Sequence, residues 1–244
     1  MKKLVSIVSV IMTIGIFLLS SCDKNKSCKT SLEAPVITNN SPVTAGDTVT
    51  LSIPRIKNGT YNWTGPFKFQ SDSSSVKIIA YDTNLSGTFN VQYFTQDCLS
   101  YLSNADVVIN PPSIPCTYAM NHAEVIGYRP SITFTDVAFY ASDDSTHYSL
   151  QANVGSNGDY IYLNFVANMK PQNGAYTITS DFYPTFGEVH FSYGFNDDYW
   201  TVAEGKLYVT TTVGGKLTAT WCDLACYRSW DGLAGTTSGN LTEQ

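Results

Sequence analysis

The fold is decided by one stretch near the carboxy terminus, Leu207-Tyr208-Val209-Thr210-Thr211-Thr212-Val213-Gly214-Gly215-Lys216-Leu217-Thr218-Ala219-Thr220-Trp221. Two runs that alternate between apolar and polar residues flank a glycine pair, which is a strong short-range signal for a β-hairpin. Leu207, Val209 and Val213 are expected to share one face. The residues expected to meet them across the hairpin are Leu217, Ala219 and Trp221. The stretch therefore predicts two antiparallel strands with one buried face.

The chain from residue 116 onward repeats this pattern. Glycine, asparagine and aspartate recur at intervals typical of short strands and turns, and no long amphipathic helical stretch is present. Residues 116–244 are therefore predicted to form an antiparallel β-sandwich or barrel. The candidate strands are Ser131–Tyr140, His147–Asn153, Asp159–Val166, Ala175–Thr179, Gly187–Tyr193, Tyr199–Val202, Lys206–Val213 and Lys216–Cys222.

Residues 34–110 predict another β-rich unit. Alternating runs occur at Thr48–Ile53 and Gly87–Tyr93, and Trp63 is expected to pack in the core. The unit ends at Pro111-Pro112-Ser113-Ile114-Pro115, where three prolines stiffen the backbone and favour a linker. The chain is thus predicted to be all-β, with a sandwich at residues 34–110, a linker at residues 111–115 and a second sandwich or barrel.

Three segments of the first unit carry a resemblance to a known class of domain. They are Ala45-Gly46-Asp47-Thr48-Val49-Thr50-Leu51, Tyr61-Asn62-Trp63-Thr64-Gly65-Pro66 and Ser86-Gly87-Thr88-Phe89-Asn90-Val91. These segments are similar to bacterial immunoglobulin-like and PKD-like domains, and the resemblance implies two packed sheets around a central tryptophan. Val49, Leu51 and Val91 occupy the positions where a disulfide between the sheets would be expected. Apolar packing is therefore expected to hold this core.

The second unit loosely resembles uncharacterised β-sandwich domains of exported bacterial lipoproteins. The likeness lies in Gly174-Ala175-Tyr176, Gly205-Lys206-Leu207 and Gly239-Asn240-Leu241-Thr242. It implies no known activity.

The first residues predict export and lipid attachment. Lys2 and Lys3 precede an uncharged, mostly apolar run, which ends in Leu19-Ser20-Ser21-Cys22. A basic start, an apolar run and small residues before the cleavage point are typical of a signal peptide. The last four residues resemble the lipobox of bacterial lipoproteins, which implies cleavage before Cys22 and acylation of that cysteine. Residues 1–21 are then the signal peptide, and residues 22–33 form a polar tether.

The remaining five cysteines predict disulfides outside the cytosol. We favour a bond between Cys28 and Cys98, and Cys116 is expected to pair with either Cys222 or Cys226. An odd number leaves one thiol free or paired between chains. No CxxC motif occurs and the three histidines are scattered, so neither a metal site nor a cofactor is predicted.

The composition excludes several classes of protein. The 244 residues carry a net charge of −6, with 14% charged and 13% aromatic residues. A disordered acidic tail and a coiled coil are excluded, and nucleic acid is an unsuitable partner for a chain without a basic face.

The aromatic surplus supplies the candidate ligand-binding residues. If Ile161, Leu163 and Phe165 point inward, Tyr160 and Tyr162 point outward. Outward rings beside polar groups suit sugar faces or a protein partner. The candidates are Tyr160, Tyr162, Tyr199, Trp200 and Trp230, with His190 interpreted as an ordinary surface side chain.

No catalytic residue is predicted, because no hydrolase signature occurs in the chain. We expect a lipid-anchored cell-envelope protein, at the outer membrane and on a side left open, that binds a glycan or an envelope protein without catalysis. The alternatives are a glycan hydrolase with dispersed carboxylates such as Glu188, Asp198 or Glu204, and a purely structural envelope component. Two carboxyl groups about 5–10 Å apart in one cleft would favour the hydrolase.

Overall fold

The described part of the protein is almost entirely β-structure. The computed structural model describes residues 32–95, 98–141, 147–154, 158–166, 170–195 and 198–244. Within these ranges the helical elements are two short 3-10 turns, at Pro66–Lys68 and Thr83–Leu85. None of the helical segments among these residues has the length and apolar character needed to cross a bilayer. The predicted all-β class is confirmed. The predicted signal peptide, Cys22, Cys28 and most of the tether lie outside the described residues.

The first half contains ten short strands around one core. β3 pairs with β1 and β6, while β4 and β7 form the centre of a five-stranded sheet. Trp63 of β4 is fully buried in the core of this half, as predicted. Its Nε1 donates a hydrogen bond to the Ser73 carbonyl at 2.8 Å. The strands are β1 (Thr38–Asn39), β2 (Val43–Thr44), β3 (Thr48–Ser52), β4 (Thr60–Gly65), β5 (Phe69–Ser71), β6 (Ser75–Ile79), β7 (Gly87–Thr95), β8 (Cys98–Leu99), β9 (Ser103–Val107) and β10 (Ile109–Asn110).

The second half forms one large sheet that folds back on itself. Its strands are β11 (His122–Ile126), β12 (Arg129–Thr133), β13 (Asp136–Ala141), β14 (His147–Asn153), β15 (Tyr160–Val166), β16 (Gly174–Thr179), β17 (Glu188–Phe195), β18 (Asp198–Val202), β19 (Lys206–Thr211), β20 (Leu217–Arg228) and β21 (Ala234–Thr242). Five of these strands pair in a closed ring, in the order β17, β16, β19, β20, β18 and back to β17. The second apolar core contains buried residues of these five strands and of β11, β13, β14, β15 and β21.

Three features of this half differ from the expectation. The predicted strand Ser131–Tyr140 is two strands, because the chain turns at buried Phe134, whose N–H donates to the Asn121 carbonyl. β11 and β21 were not predicted; β21 has the sequence Ala-Gly-Thr-Thr-Ser-Gly-Asn-Leu-Thr, in which small and polar residues hide the alternation. β16 and β17 run parallel, so the predicted antiparallel arrangement does not hold throughout.

The hairpin at residues 206–228 is confirmed, with one error in its tip. Leu207 and Val209 are buried, as are all three residues predicted to meet them across the hairpin. Val213 was expected on the same face but is fully exposed, since β19 ends at Thr211 and the turn already begins at Thr212. The turn is closed by Thr212 N–H donating to the Lys216 carbonyl at 2.8 Å.

A β-bulge decides the disulfide pairing. The register of β20 against β21 shifts between Trp221 and Leu224, and Asp223 takes a left-handed φ of 49°. The extra residue reverses the alternation, so Cys226 faces the core while Cys222 faces Cys116. The bond joins Cys116 and Cys222, with 6.0 Å between their Cα atoms. Cys226 is a free, buried thiol whose pKa is raised to about 11 by burial. Cys98 is also disulfide-bonded.

The two halves contact each other through Tyr81 and Asp82. Ala175 N–H donates to the Tyr81 carbonyl at 2.9 Å, and Asp82 forms an isolated bridge with Gly174. Burial raises the pKa of Tyr81 to about 12. The Tyr81 ring lies against Gly187, where an added Cβ would come within 2.8 Å of it. This contact supports the segment between β16 and β17.

Candidate functional site

One face of the large sheet is polar and aromatic. Ile161, Leu163 and Phe165 of β15 are buried in the core, as the alternation required. Tyr160 and Tyr162 therefore lie on the opposite face of the strand, where both are half-buried.

Strand register brings the predicted tyrosines together on this face. Tyr160 lies opposite Gly194 of β17, and Gly194 lies opposite Tyr199 of β18. A Cβ at Gly194 would approach the Tyr160 ring to 2.3 Å, so only glycine leaves room for that ring. Tyr162 lies in the next row, opposite Ser192. Three of the five sequence candidates are thus neighbours.

These residues line a pocket of about 340 Å³. Its floor contains Ser192 and Asn164, which belong to the two central strands of the face. The complete lining is Ser149, Tyr160, Tyr162, Asn164, Phe182, Ser192 and Tyr199.

Hydrogen bonds hold the lining side chains in fixed orientations. The Ser149 hydroxyl donates to Asn164 Oδ1 at 2.7 Å, and the Tyr162 hydroxyl donates to Gln151 Oε1 at 3.0 Å. The Tyr160 and Tyr162 rings meet edge to face with centroids 5.6 Å apart. Burial raises the pKa of Tyr160, with smaller contributions from the Tyr199 and Tyr162 hydroxyls. The Tyr160 phenol is therefore a neutral donor and acceptor at physiological pH.

Phe182 forms one end of the pocket and comes from the loop between β16 and β17. Asp181 Oδ1 accepts a hydrogen bond from Tyr183 N–H at 2.9 Å, and Glu188 Oε2 accepts one from Thr185 N–H at 2.8 Å. These two side chains fix the loop at both of its ends. The Phe182 ring lies 5.4 Å from the His190 ring.

His190 is buried, and the interpretation of it as a surface residue was wrong. It lies on the outer face of β17, opposite Asn164, but Phe182 covers it and leaves 5% of it exposed. Neither ring nitrogen has a hydrogen-bond partner among the described residues. Burial lowers the pKa of His190, against smaller opposing effects of the Thr179 and Ser180 backbone and of Asp181. The imidazole is therefore neutral. The alternation of β17 in the sequence predicts the face on which His190 lies. It does not predict that the Phe182 loop covers this face.

The prediction that Trp200 is an outward-facing ligand-binding residue was wrong. It is 1% exposed and packs in the core, with its ring 5.1 Å from that of Tyr128. Tyr199 and Trp200 are adjacent on β18 and must face opposite sides, and the core side is the one that takes Trp200.

Trp230 is exposed but lies in a different cluster from the tyrosines. Its Nε1 donates to Asp198 Oδ1 at 2.8 Å, and the Arg228 guanidinium lies 4.4 Å from its ring centroid. Arg228 also pairs with Asp198 at 3.2 Å and with Asp231 at 2.5 Å. Hydrogen bonds from Tyr128 and Trp230 lower the pKa of Asp198, and Arg228 lowers that of Asp231 to about 2. This cluster joins β18 to the end of β20.

The dispersed carboxylates do not all converge on one cleft. Asp198 lies opposite Phe195, at the far end of β17 from Glu188. Seven residues of strand separate the two positions by about 23 Å. Glu188 binds Thr185, and Glu204 is exposed just beyond β18. Within the described ranges, no group of three or more histidine, cysteine, aspartate or glutamate side chains is placed to hold a metal ion.

The described residues also line two cavities outside this face. An open one of about 840 Å³ lies in the first half beside exposed Arg55 and Lys57, and one of about 350 Å³ lies between the halves near Asp47 and Lys206. Neither contains a cluster of aromatic side chains.

Comparisons with known proteins identify no family. No protein-family model matches the chain, and no curated protein matches it. Among solved structures, it is similar to Bacillus licheniformis rhamnogalacturonan lyase PL11, with 12% identity, 85% of this chain covered and a TM-score of 0.22. The match spans 52% of that lyase chain, about half its length. A likeness at this level carries no argument about function.

Proposed function

We propose that this protein is a non-catalytic carbohydrate-binding protein of the bacterial cell envelope, held there by lipid on Cys22. The observation that supports binding is the pocket in which Tyr160, Tyr162 and Tyr199 stand beside polar side chains on one sheet face.

The chemistry of the lining suits a sugar. A pyranose ring has an apolar C–H face that packs on aromatic rings and an edge of hydroxyl groups that needs donors and acceptors. The tyrosine rings supply the first surface, and Asn164 and Ser192 supply the second. Because Gln151 and Ser149 fix Tyr162 and Asn164, little side-chain freedom is lost when a ligand binds.

The same pocket argues against the two alternatives. Most glycan hydrolases use a pair of carboxyl groups at the sugar, and no carboxylate belongs to the described residues that line this pocket. A purely structural component would have no reason to expose aromatic rings, whereas Phe182 is 53% exposed and Tyr199 is 37% exposed.

The binding role is tested on a glycan array with the double variant Tyr160→Ala, Tyr162→Ala. Loss of the two rings is expected to weaken binding to any glycan that the parent retains by at least about tenfold, because buried aromatic anchors carry most of the energy of such sites. Tyr101→Ala is the matched control, since this tyrosine is 62% exposed in the other half. Equal binding by the parent and the double variant would contradict the proposal that the glycan binds in this pocket.

The lipid anchor is tested separately with Cys22→Ser. The parent is expected to incorporate labelled palmitate and to fractionate with membranes, whereas the variant is expected to do neither, because the acyl chains are its attachment. Protease shaving of intact cells then reports which side of the membrane the protein faces. Palmitate-free parent protein in the membrane fraction would contradict the anchor.

A further inference from the structure

We infer that the aromatic pocket takes a neutral saccharide of one or two rings and rejects the corresponding acidic sugars. This inference rests on the proposed function and adds the charge class and size of the ligand. It is carried by the lining of the pocket, by the distribution of charge in the second half, and by the dimensions of the site.

Among the described residues that line the pocket, none carries a positive charge that would pair with an anion. All seven lining residues are uncharged, and their polar groups are hydroxyls and one amide. A uronic acid carboxylate that entered would lose water without gaining a cationic partner, which is costly. A sugar hydroxyl, which both donates and accepts, is matched by Asn164 and Ser192.

Four of the five basic residues of the second half have described side chains, and none of the four lines the pocket. From residue 116 onward the chain has five basic and thirteen acidic residues. Lys170 is paired with Glu243 at 2.9 Å, and Arg228 is held by two aspartates. Lys206 lines the cavity between the halves, and Lys216 lies in the β19–β20 turn.

Three lining residues follow an acidic residue in the sequence, although none of these acidic residues lines the pocket. Asp159, Asp181 and Asp198 directly precede Tyr160, Phe182 and Tyr199. Arg228 and Trp230 compensate Asp198, whereas Asp181 is exposed and holds the Phe182 loop through a backbone N–H. Asp181 thus places an exposed carboxylate on the loop that carries Phe182, and like-charge repulsion there disfavours an anionic ligand.

The dimensions limit the ligand to one or two rings. A volume of about 340 Å³ is at the small end of ligand pockets, which span roughly 300–1,000 Å³. Phe182 lies at the His190 end and Tyr160 lies at the Gly194 end, and four residues of β17 separate these ends by about 13 Å. Aromatic rings thus bound a short polar floor at both ends.

The test uses matched disaccharides that differ only at C6, galactobiose against digalacturonate and mannobiose against dimannuronate, titrated into the full mature protein. For each pair in which binding occurs, the neutral member is expected to bind at least about tenfold more tightly at low salt. In 1 M NaCl the Debye length falls to about 3 Å, so the dissociation constants of the neutral and acidic members are expected to differ less.

The variant Tyr199→Arg provides a second measure. It places a cation at the rim, so the ratio of the two dissociation constants should move toward the acidic member even if both affinities fall. If the parent binds an acidic member more tightly, the inference of a neutral ligand is wrong, whereas the proposed carbohydrate binding still stands. Absence of binding by every disaccharide, together with an empty glycan array, overturns the proposed function itself.

Discussion

Replacement of Cys116 and Cys222 together by serine is expected to lower the free energy of unfolding by about 2–5 kcal/mol, because the bond closes a loop of about a hundred residues in the unfolded chain. The two cysteines are separated by 106 positions. The bond joins the residue that begins the second half to the last long hairpin, so it restricts nearly all of that half. Urea denaturation followed by tryptophan fluorescence gives the change directly.

Cys226→Ala is the matched control for the disulfide. Cys226 is buried and free, so its replacement removes one sulfur from the core without opening a loop. We expect a loss of about 1 kcal/mol, as for other small core truncations. A control that costs as much as the double variant, or a double variant as stable as the parent, would contradict the assignment of the bond to Cys222.

Trp221→Ala is expected to cost about 3–5 kcal/mol, the range for removal of a buried aromatic side chain. Trp221 has no exposed surface, and its ring meets that of Phe191 edge to face with centroids 5.0 Å apart. Its Nε1 donates to Thr237 Oγ1 at 3.1 Å, and Thr237 also contacts the Tyr193 hydroxyl. The indole packs directly on Gly239, where an added Cβ would come within 2.5 Å of the ring, so the truncation leaves a cavity against the strand backbone.

A pair of tryptophan-to-phenylalanine variants isolates the hydrogen bond. Trp200 is buried like Trp221, but its Nε1 has no hydrogen-bond partner among the described residues. Trp221→Phe loses a bond, whereas Trp200→Phe removes an unpaired buried N–H. We therefore expect Trp221→Phe to be the less stable variant by about 1–2 kcal/mol in urea denaturation. The opposite order would mean that the Thr237 bond contributes nothing.

The candidate site was partly predictable because strand alternation is visible in sequence. Ile161, Leu163 and Phe165 define the inner face of β15, which places Tyr160 and Tyr162 outside without knowledge of the fold. The alternation of β18 gives a similar indication for Trp200, because Trp200 and Val202 are two residues apart and share one face. That signal spans only five residues of strand, and two adjacent aromatic residues make both orientations plausible in sequence.

The rest of the site depends on contacts between distant segments. Phe182 reaches the pocket through a loop that Asp181 and Glu188 hold in place, and it covers a histidine eight positions later. The choice of Cys222 over Cys226 depends on the bulge at Asp223, which reverses the alternation of β20. A bulge changes which face a residue occupies without changing composition or periodicity before it.

The central claim is that a ligand binds at the tyrosine pocket, and chemical-shift mapping of the aromatic side chains tests it most directly. With the neutral disaccharide that binds most tightly added to saturation, the ring signals of Tyr160, Tyr162 and Tyr199 are expected to shift together with those of Phe182. The signals of Trp63 and Tyr101 in the first half are expected to stay in place. Shifts confined to Trp230 or to the first half, with the three tyrosines unchanged, would contradict the account.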